Sequence, residues 1–128
     1  MVRQDDPAPA AWQQAETVRW FLESVRGAIP FAREQFAVTL QIVASGRQPV
    51  RRFLDLGAGD GALSAVLLAR YPTAEPVLVD FSPPMLNAAK ERLAPLTTQP
   101  VFVNADLATP AWREAVAAYG PFDAVVSS

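Results

Sequence analysis

The chain of 128 residues contains no cysteine and no histidine. Without cysteine there is no disulfide scaffold, no thiolate-ligated zinc and no thiolate nucleophile. Without histidine the commonest metal ligand and the commonest general base are both missing. Carboxylates remain as metal ligands, but no spacing of them suggests a metal site. Neither charge predominates. Eleven basic residues against 13 acidic ones leave a net charge of −2, without the basic excess expected of a nucleic-acid binder. No apolar run approaches the ~20 residues of a membrane span. The opening MVRQDDPAPA places acids where a secretory signal needs an apolar stretch, so a cytoplasmic protein is the default expectation. What is present is a globular composition, 51% hydrophobic and 19% charged, in a chain of about one domain.

The first third reads as helical. Residues 1–9 are polar and contain proline, and are expected to fray. Over residues 10–26, Trp12, Ala15, Val18, Leu22 and Val25 recur at three- and four-residue steps, with Trp20 and Phe21 widening the stripe. Gly27 and Pro30 break this helix. A second is expected over residues 31–45, with Phe36, Leu40 and Val43 on one face and Gly46 past its end.

After Pro49 the pattern changes. Short apolar runs at 52–56, 76–80, 100–104 and 122–127 alternate with helical segments at 62–70, 83–93 and 110–119. Ser82 with Pro83, and Thr109 with Pro110, stand as N-cap and first helical residue of the last two, and Gly120-Pro121 stops the third. Strict alternation predicts an α/β fold of parallel strands joined by right-handed crossovers. The continuous runs VLV and AVV suit strands covered on both faces. The sequence ends just after the fourth run, which would leave an apolar sheet edge bare. This suggests the N-terminal part of a longer domain; the alternative is a small protein whose last strand a partner covers.

The stretch FLDLGAGDGA (53–62) carries the chemistry. Alternating glycines between a strand and a helix let the backbone turn tightly and approach a ligand, and the helix start offers free N–H groups. Gly57, Gly59 and Ala62 fit the G-x-G-x-x-A form of a dinucleotide turn, with Asp80 where such folds place a ribose-binding acid. Asp55, Gly57, Gly59 and Gly61 equally fit D-x-G-x-G-x-G. Asp55 and Asp60 beside a pyrophosphate would repel it, so a ligand with a cationic amino-acid end suits the loop better. A P-loop is excluded, because no G-K-S/T follows.

LDLGAGDG (54–61) resembles motif I of the class I methyltransferases that use S-adenosylmethionine. The resemblance continues through VLVDFSPPML (77–86), FVNADL (102–107) and FDAVVSS (122–128), covering about residues 50–128. IPFAREQF (29–36) resembles, less specifically, the N-terminal lid of small-molecule methyltransferases. The resemblance implies a Rossmann-like three-layer sandwich with strand order 3-2-1-4, helices on both faces and two N-terminal lid helices. The family's strands five to seven would be absent. It divides the chain into a helical lid (1–48) and a cofactor-binding half-domain (49–128).

It also implies roles. Gly57, Ala58, Gly59 and Gly61 would wrap the methionine part of S-adenosyl-L-methionine, with Asp55 near its amino group. Asp80 would accept from both ribose hydroxyls, as one carboxylate can from a vicinal diol. Phe81 would pack on the adenine, Asp106 would accept from its exocyclic amine, and the Leu107 N–H would meet the ring. Ser127 and Ser128 would stand near the methyl group and the acceptor. The implied reaction is an in-line displacement on the sulfonium methyl group by a small-molecule nucleophile, with no metal and no covalent intermediate. No catalytic residue can be named.

Other readings stand beside these. Asp80 and Asp106 could serve only as cap or turn residues, and Phe81 only as packing. Asp123, at a strand start, reads as structural. Arg51 and Arg52 read as solvated, and Trp12 and Trp20 as lid or core. Phe31 and Arg33 could face a cleft. Two further functions remain open: a non-catalytic S-adenosylmethionine-binding module, and an NAD-binding fragment, which Asp55 disfavours.

Overall fold

The computed structural model describes residues 9–25 and 31–128. Gly27, Pro30 and the start of the chain lie outside them. Four parallel strands form one sheet in the order β3-β2-β1-β4, as expected: β1 (Arg52–Leu56), β2 (Glu75–Asp80), β3 (Val101–Asn104) and β4 (Ala124–Ser127). In register, Leu54 faces Val77 on one side and Val125 on the other. Among the described residues five α-helices accompany it: α1 (Ala15–Trp20), α2 (Ala32–Ala44), α3 (Ala62–Arg70), α4 (Pro83–Leu93) and α5 (Ala111–Ala117).

Alternation along each strand sends side chains to two apolar layers. Phe53 and Leu78 pack with Leu63, Leu67 and Leu68 of α3 and Ala89 and Leu93 of α4. Phe36, Leu40 and Val43 of α2 close this layer from outside, so the anticipated face of that helix is the one used. On the opposite side Leu54, Val77 and Val79 meet Trp112 and Val116 of α5. β1 and β2 are therefore covered on both faces, which is why their sequences run apolar without alternation; β4 is not, since Val125 of its AVV run is 60% exposed.

The N-terminal segment departs from a single helix. A 3-10 turn (Pro9–Gln13), the short α1 and a π-helical turn (Phe21–Val25) replace it. The break falls at Gln14, whose backbone is extended (φ −95°, ψ 127°). Val18 is buried as the stripe requires, whereas Trp20 is half exposed. Phe31 adopts a left-handed conformation (φ 60°) and precedes α2 rather than joining it.

The Ser82 cap is present: its Oγ accepts from the Met85 N–H. Thr109 caps nothing. Pro110 takes the N-cap place of α5, and the Thr109 hydroxyl donates to the Asp106 carbonyl. Asp123 is structural, its Oδ2 accepting from the N–H groups of Arg51 and Arg52 at 2.8 and 2.9 Å. These bonds hold its carboxyl below the usual carboxylate range, and they anchor the chain just before β4. Arg52 is not merely solvated, since its guanidinium pairs with Glu75 and donates to the Tyr119 carbonyl. None of the helices among the described residues is long and apolar enough to cross a membrane.

Candidate functional site

Parallel strands that share a direction gather the turns after them at one edge of the sheet. The turn from β1 to α3 lies at this edge. Gly57, Gly59 and Gly61 have φ of 68°, 56° and 77°, values that side-chain-bearing residues rarely adopt. The turn is tied to β2: the Ala58 N–H donates to the Val79 carbonyl at 3.0 Å and the Gly59 N–H to Asp80 Oδ2 at 2.9 Å. The Gly61 N–H closes the turn on the Ala58 carbonyl.

The three glycines differ in surroundings. A Cβ at Gly61 would press on Ala89 at 3.2 Å, so this glycine serves packing against α4. At Gly57 and Gly59 the nearest atoms would be Leu107 Cδ1 and Met85 Sδ at about 4 Å. Those two would meet only ordinary van der Waals contacts, so their left-handed backbone and not packing calls for glycine there.

Asp80 ends β2. Its Oδ1 accepts from the Ser82 N–H at 2.9 Å, its Oδ2 from Gly59, and its carbonyl from the Ala105 N–H and Asn104 Nδ2. Asp80 therefore does fix the local turns, and it also lines the cleft. Asp55, next to the last residue of β1, is fully buried beneath the turn. Its Oδ2 accepts from Ser64 Oγ at 2.6 Å, while its Oδ1 has no hydrogen-bond partner. Burial pushes its carboxyl up to about 6; the Ser64 bond opposes this, and the charges of Asp80 and Asp60 add to it.

A cleft of about 500 Å3 opens over the turn, within the range of small-molecule pockets. Gly57, Ala58, Gly59, Asp80 and Phe81 line one side, with Met85 and Ser128. Trp12, Phe21, Gln35 and Phe36 form the opposite wall. Trp12 and Phe21 meet edge to face, 5.0 Å between ring centres. Trp12 thus faces the cleft as well as packing in the N-terminal segment.

Asp55, Gly61, Asp106, Leu107 and Ser127 do not line this cleft. Ser127 Oγ donates to the Leu56 carbonyl at 2.8 Å. Asp106 Oδ1 accepts from the Ala108 N–H in an exposed turn, the role its local sequence allowed. Phe31 and Arg33 are exposed and stand outside the cleft, which takes its α2 contribution from Ala32, Gln35 and Phe36 instead. Sequence reasoning missed Ser64, Phe36 and Arg92. Ser64 reads as an ordinary helix residue. Arg92 reaches the turn across 32 positions of sequence, with no local signal.

This donor set tests the class of ligand. Asp55, Asp60 and Asp80 surround the turn, and one of them carries an unpartnered buried oxygen. Arg92 offsets the charge of Asp60, and the carboxylates of Asp55 and Asp80 disfavour a pyrophosphate and suit a ligand with a positive charge. Asp80 brings a carboxylate to the cleft wall, and Phe81 and Met85 bring apolar surface.

The methyltransferase domain family model matches residues 53–128. The chain belongs to this family. Its members use S-adenosylmethionine, which the residues just described fit. A trans-aconitate 2-methyltransferase of Methylobacterium radiotolerans is 44% identical over 59 residues, covering 46% of this chain and 21% of that one. A release factor glutamine methyltransferase of Deinococcus radiodurans is 31% identical over 103 residues, covering 80% and 34%. Among solved structures, a sugar N-methyltransferase from a Streptoalloteichus species superposes on all of this chain and 45% of its own, with a TM-score of 0.65 and 26% identity. The matched segment spans between a fifth and a third of the length of the curated relatives.

Proposed function

We propose that this chain is the cofactor-binding part of a methyltransferase acting on a small-molecule acceptor. The observation that carries the reading is the acid-lined, glycine-rich turn over the ends of β1 and β2, with Asp80 facing the cleft. S-adenosylmethionine, when bound, supplies a methyl group on a positively charged sulfur.

The residues of the chain orient and enclose. Two backbone N–H groups hold the Asp80 carboxylate still, so it accepts from ribose hydroxyls without first losing side-chain freedom. Gly57 and Gly59 let the main chain approach the amino-acid end of the ligand. Asp55 beneath them adds an acceptor and a negative charge for an ammonium group. Phe81 and Met85 offer apolar surface to the adenine. Asp106 and Leu107, on the turn after β3, stand outside the cleft wall and are given no part in this reading. Leu107 lies against Gly57.

Of the region 1–48, the described residues 9–25 and 31–48 act as the lid of this site, and residues 49–128 act as its floor. Trp12, Phe21 and Phe36 wall the cleft with apolar surface and exclude water from it. A small acceptor is favoured because the chain shows no basic stripe for a nucleic acid. The curated relatives are named for acceptors ranging from trans-aconitate to an acyl-carrier protein and a release factor.

The test is calorimetric titration of Asp80→Ala beside the parent chain. Loss of two charge-assisted contacts should weaken S-adenosylmethionine binding by roughly 1.5–3 kcal/mol each. Equal affinity of variant and parent would remove Asp80 from the site.

A further inference from the structure

We propose that Arg92 is a positioning residue that sets the shape of the glycine turn for cofactor binding. The proposal rests on the reading of the cleft given above. Asp60 lies inside the turn between two left-handed glycines, with its side chain 1% exposed. Arg92, in the last turn of α4, takes hold of this residue twice. Its Nη2 donates to Asp60 Oδ2 at 2.6 Å, and its Nε donates to the Asp60 main-chain carbonyl at 3.0 Å. One planar guanidinium therefore fixes both the carboxylate and the peptide plane that follows it.

The other end of that peptide is the Gly61 N–H, held by the Ala58 carbonyl. The Asp60–Gly61 peptide is thus pinned on both sides. The same helix grips the turn at its other end, where Ser82, its N-cap, donates its N–H to the Asp80 carboxylate that holds Gly59. Helix α4 is a splint along the turn, and Arg92 is its far fastening.

Glycine makes this fastening necessary. Three glycines free the turn to adopt many shapes, and a ligand that must select one of them binds more weakly by that fraction. Arg92 also offsets the charge of one of the three acids at the turn. It lines the cleft itself, with its side chain 42% exposed. Lysine at this position would keep the charge but place a single ammonium where two acceptors diverge.

The experiment uses Arg92→Met and Arg92→Lys in the full chain, with two readouts. The first is amide hydrogen exchange without ligand. The Gly59 and Gly61 N–H groups should exchange roughly tenfold to a hundredfold faster in Arg92→Met, the scale of a lost charge-assisted bond. Amides of β2 should not change. Arg92→Lys should recover only part of the protection.

The second readout is affinity for S-adenosylmethionine and for S-adenosylhomocysteine, which lacks the positive sulfur. Both should fall by a similar factor, because Arg92 acts through the turn and not on the sulfonium charge. Unchanged exchange, full rescue by lysine, or fast exchange with unaltered affinity would each overturn the proposal. So would a loss confined to one of the two ligands. If the methionine variant fails to fold, the lysine variant carries the same comparison. A parent chain that is folded but binds neither ligand would refute the cofactor reading. The exchange measurement would still decide whether Arg92 shapes the turn.

Discussion

Replacing Asp55 by asparagine removes a buried charge with almost no change of shape. Burial raises its carboxyl from 3.8 to about 6. At about 1.4 kcal/mol per pKa unit, holding it ionised costs the folded chain on the order of 3 kcal/mol. The folded state binds this proton more tightly than the unfolded state, so the contribution to stability falls as pH rises from 3.8 through 6. The penalty is absent below that window and complete above it. At pH 5 about half of it is already present.

Asparagine keeps an oxygen for Ser64 but places an amide donor where Oδ1 now has no partner, at a cost of roughly 1–3 kcal/mol that does not depend on pH. Comparing two pH values cancels this cost. Relative to the parent, Asp55→Asn should therefore gain about 1–2 kcal/mol between pH 5 and pH 7.5. Urea unfolding of parent and variant at each pH, followed by tryptophan fluorescence, measures this gain. A difference that stays constant with pH, or that shrinks as pH rises, would refute the assignment of a strained buried carboxylate. Affinity for S-adenosylmethionine should move the other way and weaken in the variant, because the buried negative charge beneath the turn is lost.

Three further outcomes are expected. Gly59→Ala and Gly61→Ala should each lose roughly 1–2 kcal/mol to left-handed backbone strain, and Gly61→Ala should lose more in urea unfolding, because its Cβ presses on Ala89; the reverse order would contradict the packing described. Ser82→Ala should cost about 1 kcal/mol as a lost cap and shift tryptophan emission, because the Ser82 hydroxyl also donates to the Trp12 carbonyl. Asp123→Ala should flatten the acid limb of the stability profile, because the contribution of Asp123 is present above its ordinary pKa and is lost as pH falls below it; an unchanged limb would show that its bonds to Arg51 and Arg52 carry no linkage.

The sheet was legible because both of its signals are local. Apolar runs at 52–56 and 76–80 and helical stretches at 62–70 and 83–93 fall within one residue of β1, β2, α3 and α4. The Ser82-Pro83 signal marks its helix start to the residue. The N-terminal segment was less legible. The three- and four-residue spacing of Trp12, Ala15, Val18 and Leu22 fits 3-10, α and π turns almost equally, and the extended backbone at Gln14 has no sequence marker. At α5, Thr109 had the identity of a cap but its hydroxyl went to Asp106, a choice between two neighbours that sequence cannot rank.

The turn itself could be read from its glycines. Its bracing could not, since the Arg92–Asp60, Ser64–Asp55 and Ser82–Trp12 pairings depend on helix placement. Asp55, Asp80 and the glycines are brought together at one sheet edge, with Asp80, Gly57 and Gly59 on the cleft wall. Asp106 and Ser127 hold local carbonyl and amide groups outside it.

The central claim is that Asp55, Asp80 and the glycine turn select a cationic nucleoside ligand. Calorimetric titration of the chain with S-adenosylmethionine, against NAD as control, tests it most directly. The account predicts saturable binding of S-adenosylmethionine and none of NAD, whose pyrophosphate would face Asp80 on the cleft wall above the buried charge of Asp55. Binding of NAD with equal affinity, or no binding of S-adenosylmethionine by a chain shown to be folded, would contradict it.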